Sequence, residues 1–118
     1  MREVKKMYFR DDRHRDIFLA LRQKAGVGKD CEYDSALYVL SALGKPIEKY
    51  VQPGAIEFKK LKQVSRAWSS SEKALLRLAA ALFNASTWPV TIEDVFYSLD
   101  EDNVRVALQA LEIRYLMR

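Results

Sequence analysis

The stretch from Ser69 to Asn84 limits what this chain can fold into more than any other. Ser69 is followed three residues later by Glu72, the capping-box spacing in which each side chain satisfies a backbone amide left unpaired at a helix start. Ala74, Leu75, Leu78, Ala79, Ala81, Leu82 and Phe83 then recur with only Lys73 and Arg77 to interrupt them. A helix that is apolar around most of its circumference must be surrounded by other elements. This segment is therefore expected to be the central buried helix, over 70–84.

The flanking sequence supplies those elements. Asp11 or Asp12 can cap a helix running to about Lys24, with Ile17, Phe18, Leu21 and Ala25 on one face and Gly26 stopping it in the left-handed conformation. Tyr8 and Phe9 are placed to anchor against the core. A second helix starts between Cys31 and Asp34 and carries Ala36, Leu37, Leu40 and Leu43 up to Gly44. Proline suits the first turn of a short helix over 46–51, which ends at the Gln52-Pro53-Gly54 turn. Ile56, Phe58, Leu61 and Val64 suggest another short helix with an exposed lysine face. Thr91 can cap a helix with Ile92, Val95, Phe96 and Leu99, and Asp100 can cap the last, with Val104, Ala107, Leu108, Leu111 and Tyr115 inward. Nothing alternates with period two for long enough to require a sheet. The expectation is an all-α, compact single domain over 1–118: a bundle of five or six helices with a trihelical C-terminal half.

Composition sets the class. The 118 residues are 49% hydrophobic and 31% charged, enough to bury a core and too apolar to stay disordered. Cys31 is the only cysteine, which excludes the disulfide-stapled secreted scaffolds and fits a reducing compartment. Charges interrupt the first ten residues before a signal-peptide core can form, and the longest uncharged stretch, 78–92, is too short and polar to span a bilayer. The expected location is cytoplasmic, without membrane contact. The net charge of +4 is unevenly spread: residues 45–90 carry net +5 and residues 91–118 net −3. Such an asymmetry steers a charged partner or draws the two ends of the domain together.

Several segments in order carry a resemblance. Phe9-Arg10-Asp11-Asp12-Arg13-His14, then Ala25-Gly26-Val27-Gly28-Lys29-Asp30-Cys31 leading into Ala36-Leu37-Tyr38, Trp68-Ser69-Ser70, Leu78-Ala79 with Leu82-Phe83-Asn84, and the tail from Ala107 to Tyr115 make up the pattern. In this order they resemble a family of small uncharacterised proteins of Firmicutes and their phages. The chain departs from that family in its short loop at 84–91. The resemblance implies a cytoplasmic bacterial or phage-encoded accessory protein; it implies no activity.

The chemical motifs are sparse. His14 is the only histidine and sits at the edge of a buried stripe, so a structural role is expected. Cys31 lies at a helix start, where the macrodipole favours thiolate, but no second cysteine can resolve it and a packed thiol is expected. One cysteine and one histidine fall short of a zinc site. Ser70-Ser71-Glu72-Lys73 matches the S-x-x-K spacing of penicillin-recognising enzymes but lacks their other elements. Asp100, Asp102 and Glu112 suggest a calcium loop, yet Val104 and Arg105 stand where an oxygen ligand and the turn glycine belong. Gly26-Val27-Gly28 lacks the third glycine of a phosphate loop. No catalytic residue, cofactor site or metal site is expected, and the chain is read as non-enzymatic.

Two binding readings remain. The last three helices have the lengths of a helix-turn-helix, but the outward positions Glu101, Asp102, Arg105, Gln109 and Glu112 sum to −2 and would repel phosphates in a groove. A better surface is Lys59, Lys60, Lys62, Arg66, Trp68, Lys73 and Arg77, where cations surround an aromatic ring. The aromatics Trp68, Trp88 and Tyr97 are expected to be exposed. The leading expectation is a protein-interaction module, in the phage setting a modulator or inhibitor of a host or defence protein. The alternative is nucleic-acid binding through the 59–77 surface.

Overall fold

The computed structural model describes residues 6–26 and 30–117. The basic first five residues and the Val27-Gly28-Lys29 part of the glycine segment lie outside them. The fold is all-α, and the helices follow the caps. Helix α1 (Asp12–Ala25) is capped by Asp11, whose carboxylate accepts from the His14 amide, and α2 (Cys31–Ser41) by Asp30. Helix α3 (Phe58–Val64) is short, and α4 (Ser70–Phe83) opens on the complete Ser69/Glu72 capping box. Thr91 and Asp94 form a second capping box on α5 (Ile92–Phe96), and Asp100 caps α6 (Glu101–Tyr115). Gly26 ends α1 with positive φ (123°) as expected, but with ψ at 135°, outside the left-handed helical region.

The central helix is α2, not the expected 70–84 segment. It packs against α1, α4 and α6, and every residue from Asp34 to Ser41 is buried. Its polar residues hid this in the sequence. The Ser35 hydroxyl donates to the Cys31 carbonyl at 2.7 Å, the Ser41 hydroxyl donates to the Tyr38 carbonyl at 2.8 Å, and Asp34 pairs with Arg22 at 3.0 Å. A serine that bonds back to its own helix presents little unsatisfied polarity to a core. Helix α4 keeps one exposed side, with Lys73, Arg77, Ala81 and Phe83 only half-buried.

Two further differences concern the middle and the end of the chain. Residues 46–51 hold the expected short helix only as one turn of 3-10 helix, Glu48–Tyr50. A two-residue hairpin follows, in which Val51 pairs with Ile56 across the Pro53-Gly54 turn. Gly54 has φ of 76°, the left-handed conformation required at the third position of such a turn. In α6 the inner face is Val106, Ala107, Gln109, Ala110 and Ile113; Leu108 and Tyr115, expected inward, are exposed, and Gln109, expected outward, is buried. The alanines leave room for α2 to approach closely, so packing and not bulk sets the face. Ile92 is likewise exposed, and α5 ends at Phe96, before the expected residue 99.

The N-terminal strap is tied down by its backbone. The Tyr8 amide donates to Gln109 Oε1 at 2.8 Å and its carbonyl accepts from the Tyr38 hydroxyl. Phe9 inserts its ring among His14, Phe18 and Tyr38, at centroid separations between 5.1 and 5.9 Å.

Candidate functional site

His14 is buried with both ring nitrogens engaged. Nδ1 accepts the Arg10 amide at 3.1 Å, which leaves the proton on Nε2, and Nε2 donates to the Tyr38 carbonyl at 2.9 Å. Burial is the main cause holding its pKa down; the Tyr38 carbonyl works upward and the Arg10 charge downward. Neither nitrogen has a lone pair or proton to spare for a substrate. Cys31 lies at the first position of α2, but its thiol is pushed up, by burial first and then by Glu32, whose carboxylate it meets at 3.2 Å. Burial, and after it the adjacent carboxylate, oppose the thiolate that the helix start would favour. Among the described residues no three His, Cys, Asp or Glu side chains cluster as metal ligands.

The basic residues of 59–77 fall into separate settings. Lys60 pairs with Glu57 at 2.9 Å, and that hydrogen bond and charge raise its pKa. Trp68 is half-buried beneath Lys45, whose Nζ lies 5.7 Å from the ring centroid and also 3.4 Å from Glu72. Trp68 is thus enclosed by a local pair and does not stand among the 59–62 lysines. Arg66 is exposed, and Lys73 and Arg77 are half-buried on the outer side of α4. Arg77 donates to the Asp94 carbonyl at 3.2 Å.

Lys62 meets the other tryptophan. Its Nζ lies 5.1 Å from the Trp88 ring centroid, and its pKa is lowered, by burial first and by the charge of Arg77 second. One cation is thus held against the indole, and Lys62 pairs with no carboxylate among the described residues. Trp88 is positioned by the loop that ends α4. The Asn84 side-chain oxygen accepts from the Ser86 hydroxyl and the Thr87 amide, and the Trp88 amide donates to the Asn84 carbonyl. This turn folds the indole back toward α3.

Beside Trp88 opens a cleft of about 400 Å³. Phe58 and Phe83, with ring centroids 5.4 Å apart, line it together with Ile56; Lys59, Lys60, Glu57 and Asn84 complete the rim. An aromatic, apolar recess bordered by cations suits an extended segment carrying carboxylates and an apolar side chain. Of the expected surface, Lys59 and Lys60 line this cleft and Lys62 meets it through Trp88, whereas Trp68 and Arg77 do not line it; Trp88, Phe83 and Phe58 lie outside the expected set. The Asn84-Ala85-Ser86-Thr87 turn was the signal for Trp88.

No family model, curated protein or solved structure matches the chain. Among the described residues no helix is long and apolar enough to cross a membrane.

Proposed function

We propose that this chain is a non-enzymatic protein-interaction module that seats an acidic, partly apolar segment of another protein in the cleft walled by Trp88. The observation that carries the reading is the Lys62 ammonium, held 5.1 Å from the Trp88 ring centroid with no carboxylate partner among the described residues. An arriving carboxylate is attracted by this ammonium. The half-buried Phe83 ring, backed by the buried Phe58, offers the segment an apolar anchor, the kind of contact on which interface affinity concentrates. The engaged nitrogens of His14 and the raised Cys31 thiol favour binding over catalysis.

Nucleic acid is the rival occupant. Lys62 already takes one face of the Trp88 ring, where a base would stack. The resemblance to proteins of Firmicutes and their phages supplies the setting in which we place the module: a cytoplasmic accessory protein, phage-encoded, that modulates or inhibits a host or defence protein.

Isothermal titration with a synthetic glutamate-rich peptide carrying leucine and tyrosine, alongside a single-stranded oligonucleotide, tests the proposal. Peptide binding that is lost in Lys62→Glu supports it. Preferential oligonucleotide binding that weakens steeply with salt overturns it in favour of nucleic acid.

A further inference from the structure

The hairpin beside the cleft has one open edge. Its strands, β1 (Val51–Gln52) and β2 (Ala55–Ile56), are antiparallel, with Val51 opposite Ile56. The Glu57 amide donates to the Tyr50 carbonyl at 2.8 Å, so the next pair along, Tyr50 with Glu57, is a hydrogen-bonded row. Bonded and non-bonded rows alternate in an antiparallel ladder, which makes Val51 with Ile56 a non-bonded row. The Ile56 N–H and C=O therefore point away from β1, and neither has a hydrogen-bond partner among the described residues. The outer edge of β1 is covered, because Val51 is fully buried and β1 packs against α1.

The open edge borders the cleft walled by Trp88. The consecutive residues Ile56, Glu57, Phe58, Lys59 and Lys60 all line that cleft. Neighbouring side chains of extended backbone point to opposite faces, so Ile56 and Glu57 both border the cleft only if the main chain between them does. Ile56 is 8% exposed, and a main chain so nearly enclosed is costly while its polar groups lack partners. An occupant that brings one N–H and one C=O satisfies both Ile56 groups at once. A helix cannot do so, since its own main chain is bonded internally, whereas an extended segment can. The paired residue of that segment shares the face of the Ile56 side chain, which points inward, toward the rings of Phe58 and Phe83. Lys60 already pairs with Glu57 at 2.9 Å; Lys59 on the rim and the Lys62 ammonium at Trp88 are left to attract carboxylates, so an acidic segment is favoured.

We infer that the acidic segment docks as a third strand on β2, its main chain paired in one rung with the Ile56 N–H and C=O. Strand pairing at this edge rests on the proposed function of the cleft and adds the conformation of its occupant: extended, as in a disordered tail or an edge strand, and not helical.

Amide hydrogen exchange and isothermal titration with the glutamate-rich peptide carrying leucine and tyrosine test it. Saturating peptide is expected to slow exchange at the Ile56 amide about tenfold and to leave the Glu57 amide, already bonded to Tyr50, nearly unchanged. In a series of peptides each N-methylated at one residue, affinity is expected to fall about tenfold at a single central position and little elsewhere. A peptide that shifts the Trp88 indole signal yet leaves Ile56 exchange unaltered overturns the strand pairing and leaves the docking of an acidic segment standing. So does a methylated series in which no single position stands out. A parent peptide that does not bind at all overturns the cleft reading and the strand pairing with it.

Discussion

The imidazole of His14 donates from Nε2 to the Tyr38 carbonyl at 2.9 Å, across 24 residues of sequence, and so ties α1 to the buried middle of α2. The bond requires a neutral ring whose other nitrogen accepts the Arg10 amide. Burial holds the folded-state pKa below the ordinary 6.5, so the unfolded chain takes up the proton first as pH falls. The stability His14 contributes is full above 6.5 and is lost as the pH drops toward the lowered folded value. Urea denaturation is expected to show a midpoint that falls on the acid side of neutrality, and His14→Gln, which keeps a donor and an acceptor but does not titrate, flattens that slope.

Asp34 and Arg22 form the polar contact that lets α2 enter the core. The Asp34 side chain is 8% exposed and Arg22 29%, and burial pushes the carboxyl up against the downward pull of the guanidinium. Arg22→Leu leaves a buried carboxylate without its cation and is expected to cost about 2–3 kcal/mol at neutral pH. The cost shrinks in acid, because the abandoned carboxyl protonates more readily. Replacing both residues with leucine recovers much of the loss, measured by a double-mutant cycle in chemical denaturation.

These two contacts also show where sequence reasoning reached its limit. Helix starts were legible because a cap is local chemistry: Asp11, Ser69, Thr91 and Asp100 each bond an amide three residues on, whatever the rest of the chain does. The choice of central helix was not local. Asp34, Ser35 and Ser41 made α2 look amphipathic, and only the Arg22 side chain and the serine back-bonds make it buriable. The inner face of α6 was legible only in part: Ala107 is inward as expected, but Val106, Ala110 and Ile113 fill the face that Leu108 and Tyr115 were expected to share. At the cleft, the lysines of 59–62 were visible as charge, whereas Trp88 reaches them only through the tertiary path of the Asn84 turn.

The Tyr38 hydroxyl fastens the N-terminal strap by donating to the Tyr8 carbonyl. Tyr38→Phe removes the donor while keeping the ring between Phe9 and Phe18, and is expected to cost about 1 kcal/mol. Faster hydrogen exchange at the Tyr8 amide, with exchange in α4 unchanged, would localise the effect to the strap.

Leu40 tests the position of α2 directly. It is fully buried, and Leu40→Ala is expected to cost about 2–5 kcal/mol through lost transfer energy and the cavity left behind. Leu108→Ala, on the exposed side of α6, changes monomer stability by less than about 0.5 kcal/mol. Thermal or urea unfolding of the two variants at low protein concentration makes the comparison.

The Trp88 indole N–H is the most direct reporter of the proposed docking cleft. In a proton–nitrogen NMR titration with the glutamate-rich peptide, binding at the cleft predicts a saturable shift of the Trp88 signal while Trp68, enclosed by Lys45, stays in place. The same titration of Lys62→Glu should leave both signals unmoved. A Trp88 signal indifferent to the peptide, or one that shifts equally in Lys62→Glu, would contradict docking of an acidic segment at this site.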